Sequence, residues 1–510
     1  MKKTVFTLCL VFIFKIAQAQ TKITLNTDLA KTKINKHIYG HFAEHLGRCI
    51  YGGIYVGESN KTIPHTDGVR NDIIAALKDL KVPNLRWPGG CFADAYQWKD
   101  GIGQKASRPK MVNVWWGGST EDNSFGTHDF LDLCEKIGAE PYLAGNVGSG
   151  TVKDLADWVS YVNHPGGSPM AELRKQNGRQ NPWNVKLWGV GNEAWGCGGN
   201  MTAEYYANIY RQYATFMNDS KDAKLYKIAS GASDGDYAWT ETLMKNIPHN
   251  MVSGVALHHY SVLSWGDKGP DVAFTEANYF KTMEEAWKME EFVTRHSTIM
   301  DKYDPDKKVD LIVDEWGGWY NEEKGGGVLY QQNTMRDAMI AGLTLNIFNN
   351  HADRVRGANL AQIVNVLQAV ILTKEEKMVL TPTYHVMKMY NVHQEATLVP
   401  IQIESPAYQF GNKKLTAVSA SASKEASGAL NISLTNIDFT KAHEVIINLR
   451  GEDFSKLSGK ILASPKINDF NSFEQPDKVS IKDFSGAKLE KGILKLTIPA
   501  YSVLVLNLKK

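Results

Sequence analysis

The chain has 510 residues, 43% hydrophobic and 22% charged, with 43 Gly and 17 Pro. This is an ordinary globular composition and excludes collagen-like, low-complexity and disulfide-scaffold classes. A formal net charge of +2 with no long basic run argues against nucleic acid or an anionic membrane as partner.

Residues 1–19 read as a secretory signal. Lys2 and Lys3 form the basic start, residues 5–14 the apolar run, and Ala17-Gln18-Ala19 the cleavage site. The run is too short to span a bilayer. Cleavage after Ala19 implies a secreted or periplasmic protein and leaves 54 basic against 55 acidic side chains. Cys9 departs with the signal. Cys49, Cys91, Cys134 and Cys197 remain, with no C-x-x-C pair. Three pairings are open to them, as are free buried thiols, and the spacing does not choose.

Residues 22–29 form a strand ahead of the main body. From 37 to 394 short apolar runs then alternate with amphipathic stretches. Strands are expected at 37–42, 84–87, 140–144, 185–190, 226–230, 254–258, 309–313 and 354–360. The helices that follow them fall at 69–80, 127–137, 152–163, 203–218, 238–245, 279–302, 334–349 and 384–392. Eight strand–helix units imply a closed parallel (β/α)8 barrel rather than an open sheet. After 395 the helical period disappears. Strands at 415–422, 430–434, 444–449, 494–498 and 502–508, set between turn residues, predict a jelly-roll-like all-β sandwich. The organisation is therefore a signal (1–19), a strand segment (20–36) that joins the sandwich, a barrel (37–394) and a sandwich (395–510).

Barrel enzymes carry their chemistry at the C-terminal ends of the strands. Those ends hold Glu44, Arg86, Cys91, Asn146, Asn192, Glu193, His258, Tyr260, Glu315 and Gln362. Glu193 and Glu315 end the fourth and seventh strands, across the mouth from one another. Two facing carboxylates about 5–5.5 Å apart suit retaining glycoside hydrolysis. Arg86 is placed to keep Glu315 ionised, Tyr260 to hydrogen-bond it, and Asn192 to bind a sugar 2-hydroxyl. Trp115, Trp116, Trp195, Trp316 and Trp319 are candidates for stacking on sugar faces, with burial in the core the equal alternative for each.

Six ordered motifs carry a resemblance. They are Ile38-Tyr39-Gly40-His41-Phe42-Ala43-Glu44-His45-Leu46-Gly47-Arg48, Arg86-Trp87-Pro88-Gly89-Gly90, Gly191-Asn192-Glu193, Leu257-His258-His259-Tyr260, Asp314-Glu315-Trp316 and Leu360-Ala361-Gln362-Ile363-Val364-Asn365. Together they resemble glycoside hydrolase family 51, chiefly α-L-arabinofuranosidases on a clan-A barrel. The resemblance implies an exo-acting retaining enzyme with Glu193 as acid/base and Glu315 as nucleophile. Glu44, Asn192, Tyr260 and Gln362 would hold the arabinofuranose ring, Trp319 would wall its pocket, and His258 would hydrogen-bond at the mouth. One departure stands out: Cys91 occupies a position where some members carry a sugar-binding Asn, and a thiol is a weak hydrogen-bond partner. The implied substrate is an arabinose-containing poly- or oligosaccharide, with no metal or organic cofactor. Members often oligomerise, but no interface can be read from the chain.

The sequence also offers other readings. Gly231-Ala232-Ser233-Asp234-Gly235 matches a nucleophile elbow, with His385 or His393 as partner, but a barrel is the wrong context for it. Gly189-Val190-Gly191-Asn192-Glu193-Ala194 matches a dinucleotide fingerprint, but no helix follows promptly. Another clan-A glycosidase (a β-xylosidase or endo-glucanase) and a non-catalytic glycan-binding protein are the functional alternatives.

Overall fold

The computed structural model describes residues 20–510; the expected signal at 1–19 lies outside them. Among the described residues no helix is long and apolar enough to cross a membrane.

Eight parallel strands close into a barrel in chain order: Gly40–Phe42, Asn84–Trp87, Glu140–Gly145, Leu187–Val190, Tyr226–Ser233, Gly254–Ser261, Asp310–Gly318 and Val355–Ala361. The eighth closes on the first through Asn359↔Gly40, Leu360↔His41 and Ala361↔Phe42. Each strand is followed by an outer helix, as the alternation of patterns required. The helix Val152–Asn163 shows why. Thr151 and Asp154 form a reciprocal capping box at its start. Leu155, Trp158, Val159 and Val162 recur at helical spacing and are buried. Pro165 then drives His164 into extended backbone and ends the helix. Thr151→Ala at this cap would cost about 1 kcal/mol.

Several strands run past their expected ends, and the extensions bear on the site. The sixth continues through Ser261 and the seventh through Gly318, so Tyr260 and Glu315 lie within regular strands. The first is shorter than expected, because Lys36–Tyr39 is a 3-10 turn. A further helix, Pro169–Gln176, has a short amphipathic pattern that the periodicity left unmarked.

Beyond the barrel lie two facing sheets. One runs Ile401–Glu404, Thr21–Asn26, His443–Arg450, Ile493–Ile498, Lys488–Glu490. The other is built on Val418–Lys424, Leu430–Asn436, Ser502–Lys509 and Lys456–Leu462. The expected single strand at 415–422 is two: Lys413–Thr416 pairs in a separate hairpin, and Val418–Lys424 enters the sandwich. The helix Met335–Asn350 is buried all round from Met335 to Asn349, because it is clamped between barrel and sandwich. The Ser/Ala tract of the sandwich lets the two surfaces approach. Asn346 donates to Ser419 at 3.0 Å and Asn349 to Ser421 at 3.1 Å. A Cβ on Gly342 would lie 2.4 Å from the Thr435 hydroxyl, so only glycine fits there.

Candidate active site

A pocket of about 380 Å³ opens at the C-terminal ends of the strands. At its floor Arg86, buried inside the second strand, organises the carboxylates. Its Nη1 donates to Glu315 Oε1 at 2.9 Å and its Nη2 to Asn192 Oδ1 at 2.6 Å, while Nε lies 3.4 Å from Asp314 Oδ2. The Phe42 ring packs on the guanidinium, 4.5 Å from its centre. Gly90 passes so close that a Cβ there would stand 2.9 Å from Glu315 Oε1.

Glu315 is held on its other oxygen by the Tyr260 hydroxyl at 2.7 Å. Burial alone would raise its pKa, but the charges of His258 and Arg86 and the bonds from Tyr260 and Arg86 prevail and hold it below the usual carboxylate range. Glu193 lies opposite. His258 Nδ1 is 2.9 Å from Glu193 Oε1 and 3.7 Å from Glu315 Oε2, so one imidazole bridges both carboxylates. Carboxylate oxygens of Glu193 and Glu315 and a ring nitrogen of His258 lie within 4.8 Å of one another. Burial lowers the His258 pKa, yet the Glu315 charge and the bond to Glu193 leave it raised overall.

The turn carrying Glu193 is locally strained. Its φ of +41° is in the left-handed region, uncommon for a residue with a side chain. The turn is fixed from outside: Asn192 N donates to Asp94 Oδ2 at 2.7 Å and Ala194 N to Ser230 Oγ at 3.0 Å. Asp94 also accepts from the backbone of Val147 and Gly148, and burial raises its pKa to about 6.

A third carboxylate, Glu44, sits on the pocket wall. It accepts from Trp116 Nε1 at 2.9 Å, Phe92 N at 3.1 Å and Gln362 Nε2 at 2.9 Å. Burial, with the Glu315 charge, raises its pKa to about 7. The remaining oxygen of Gln362 is buried without a partner. Trp319 forms the opposite wall, edge-on to both Tyr260 at 5.1 Å and Trp265 at 5.4 Å.

Glu44, Arg86, Cys91, Asn192, Glu193, His258, Tyr260, Glu315, Trp319 and Gln362 gather here, with two refinements, whereas Asn146 is spent on its own loop, accepting from Ser149 N and Gly150 N. Arg86 and Asn192 lie beneath the pocket rather than on its wall: Arg86 is spent on Glu315, and Asn192 has its oxygen taken by Arg86. Cys91 is not a thiol. It is bridged to Cys197, so it has no S–H to offer a sugar hydroxyl, and the expected weak hydrogen bond is corrected accordingly. Cys49 and Cys134 are unbridged and buried. Among the tryptophans, Trp116, Trp195, Trp265 and Trp319 line the pocket, whereas Trp316 is core, packed edge-on to Phe348. Asp94 and Trp265 carried no signal, since Asp94 lies in a single 3-10 turn and Trp265 in an irregular loop, neither long enough to show a period. The elbow serine has no histidine partner: His393 is occupied by Ser423 and Ser433 within the barrel–sandwich seam. His258 and His259 diverge as neighbours on a strand must, His259 pairing with Asp234 at 2.6 Å.

Comparisons with known proteins agree with this geometry. Residues 76–272 match the model "Alpha-L-arabinofuranosidase 1 domain" and residues 314–502 the "Alpha-L-arabinofuranosidase C-terminal domain". The chain is 53% identical over 97% of its length, and 96% of the relative's, to an intracellular exo-α-L-arabinofuranosidase of Bacteroides ovatus. It is 33% identical over 74% of its length, and 76% of the relative's, to an intracellular exo-α-(1→5)-L-arabinofuranosidase of Halalkalibacterium halodurans. The crystal structure of the GH51 arabinofuranosidase from Xanthomonas axonopodis pv. citri superposes with a TM-score of 0.95 at 45% identity, covering 96% of this chain and all of that one. Both sequence relatives are named intracellular. That overturns the secreted or periplasmic location expected from residues 1–19, whose basic and apolar pattern is short and lies outside the described residues.

Proposed function

The chain belongs to glycoside hydrolase family 51, and from that premise we propose that it is an exo-acting, retaining α-L-arabinofuranosidase in which Glu315 is the nucleophile and Glu193 the acid/base. The observation that carries the assignment is the pair of opposed carboxylates whose oxygens lie within 4.8 Å, bridged by His258. So close an approach favours the roughly 5–5.5 Å carboxyl separation of a retaining enzyme, in which one carboxylate attacks the anomeric carbon directly, over the roughly 6.5–9.5 Å of an inverting one.

Glu315, kept ionised by His258, Arg86 and Tyr260, attacks the anomeric carbon. Glu193 protonates the departing glycosidic oxygen, then as carboxylate takes a proton from the water that hydrolyses the glycosyl–enzyme. His258, touching both, holds each carboxylate toward the bond being broken. The ring sits against Glu44, Gln362 and Trp319 in the pocket of about 380 Å³. The natural substrates are terminal α-L-arabinofuranosyl groups of plant arabinose-containing polysaccharides and oligosaccharides.

The test is nitrophenol release from 4-nitrophenyl α-L-arabinofuranoside, beside the β-D-xylopyranoside and an acetate ester, with the product anomer read by NMR. Furanoside turnover with retained configuration, lost in Glu315→Ala by on the order of 10⁴-fold or more, is expected. Preference for the xyloside would transfer the reading to a sister glycosidase, and ester cleavage alone would overturn it.

A further inference from the structure

Cys91 opens the short helical turn after the second strand, and Cys197 lies four residues beyond Glu193. The bridge between them joins loops 106 residues apart and sits beside the pocket, with both cysteines only half-buried. It lies against Glu193, with Asn192 Nδ2 3.9 Å from Cys197 Sγ on another side. Cys197 Sγ is 3.5 Å and Cys91 Sγ 3.9 Å from Glu193 Oε2. We propose that opening this disulfide creates a site for a thiophilic divalent cation of the zinc type, held by Cys91, Cys197 and Glu193.

The two sulfurs, bonded to one another while the bridge is closed, must first part, a matter of side-chain rotation with the Cα atoms 5.4 Å apart, whereas their distances to the carboxylate already suit such an ion. With metal–sulfur bonds of about 2.3 Å and metal–oxygen bonds of about 2.0–2.2 Å, a tetrahedral sulfur–oxygen edge is about 3.6 Å. The two sulfur–oxygen distances bracket that value. Donor atoms of all three residues lie within 4.8 Å of one another. Two soft thiolates select zinc, cadmium or cobalt over calcium or magnesium, which prefer all-oxygen shells. His258 holds the other oxygen of Glu193, the orienting hydrogen bond that ligating carboxylates commonly have. The fourth position faces the pocket and takes water.

The opening step is a thiol–disulfide exchange with a dithiol reductant. One reductant thiolate attacks a bridge sulfur and expels the other cysteine as thiolate. The second reductant thiolate then attacks the reductant sulfur of this mixed disulfide and expels the remaining protein cysteine as thiolate, so two electrons and two protons pass to the protein and the reductant leaves as its own disulfide. Metal binding releases the two thiol protons. The bound ion occupies the oxygen of Glu193 that faces the sulfurs, so the group can no longer give its proton to a leaving sugar. The consequence is an enzyme that metal silences only in its reduced form. That consequence rests on the role proposed for Glu193; the metal site itself does not.

Cobalt(II) separates the two. The full-length protein is reduced with a dithiol, freed of reductant and titrated with cobalt beside an unreduced sample. Cys49 and Cys134 are unbridged in both and cancel. A thiolate-to-cobalt charge-transfer band saturating at one ion per chain, in the reduced sample alone, is the expected result. It should vanish in reduced Cys197→Ser, and zinc should lower turnover of an alkyl arabinofuranoside, whose leaving group needs the proton of Glu193, by the reduced enzyme at least tenfold, reversibly with a chelator. No band in reduced wild type at millimolar cobalt, or an equal band before reduction, would overturn the site. A one-equivalent band without loss of turnover would keep the site and count instead against Glu193 as acid/base.

Discussion

The barrel has two mouths, and they differ in a way that volume does not foretell. At the N-terminal ends of the strands lies a cavity of about 700 Å³, nearly twice the size of the pocket at the other end. It is rich in charge, with Lys186, Lys224, Lys227 and Arg356 on its lining. Around it the polar contacts are separate and local: Lys36 with Glu140 at 2.6 Å, His37 with Asn84 at 3.0 Å, Tyr226 with Asp310, and Lys227 on the Ala214 carbonyl at 2.8 Å. At the C-terminal mouth the groups share. Arg86 serves Glu315, Asn192 and Asp314, and His258 serves two carboxylates. Shared, buried charges shift one another's protonation, and that is the condition for acid–base work. In this fold, convergence of partners marks the chemistry and empty space does not.

Substitutions at the two mouths should therefore behave differently. After Glu315→Ala, the largest effect is expected from Glu193→Ala. Turnover should fall about 10²–10⁴-fold on an alkyl arabinofuranoside, which needs a proton on its leaving group, and much less on the nitrophenyl glycoside. An equal loss on both would break the acid assignment. Next comes Arg86→Met, which strands Glu315 and Asp314 in a dry interior. Urea denaturation should show a loss of about 3–5 kcal/mol, together with loss of turnover. At the opposite mouth, Tyr226→Phe removes a bond to the Asp310 carboxylate and should cost about 1.5–3 kcal/mol of stability while leaving kcat unchanged. A changed kcat there would dissolve the distinction between the mouths.

The smallest effect is a pH slope. Glu44 titrates at about 7 when folded and near 4.5 otherwise. Between those values the folded chain keeps a proton that the unfolded chain releases, so this residue makes stability fall as pH rises through the window. Glu44→Gln removes the slope, and its melting temperature relative to wild type should climb from about pH 5 to pH 8. A flat difference would mean that Glu44 is charged throughout.

Much of this arrangement was legible beforehand, for reasons that can be named. The alternation of strand and helix periods gave the barrel because each helix has one apolar stripe, as in Leu155, Trp158, Val159 and Val162. Once the barrel was in hand, residues at strand ends had to share one mouth, and Glu193 and Glu315 needed no further clue to be brought face to face. What escaped lay where backbone conformation, not period, decides position. Trp265 reaches the pocket from an irregular loop, and Asp94 from a single helical turn. The Cys91–Cys197 bridge depends on how two loops fold back, which no spacing of cysteines expresses. Residues 1–19 misled for the opposite reason: a short basic-then-apolar run is cheap to match, and the intracellular names of the relatives outweigh it.

The strand Thr21–Asn26 has a consequence for synthesis. It sits inside a sheet, between Ile401–Glu404 and His443–Arg450, with Ile23 opposite both Ile403 and Ile447. Its first partner is made 380 residues later. At about 5–20 residues per second, the strand leaves the ribosome and waits roughly 20–75 s for the segment that will cover it. Throughout that interval Ile23 and Leu25, both fully buried at the end, face solvent or a chaperone. The barrel can close before the sandwich exists, but the first residues laid down are among the last to find their place.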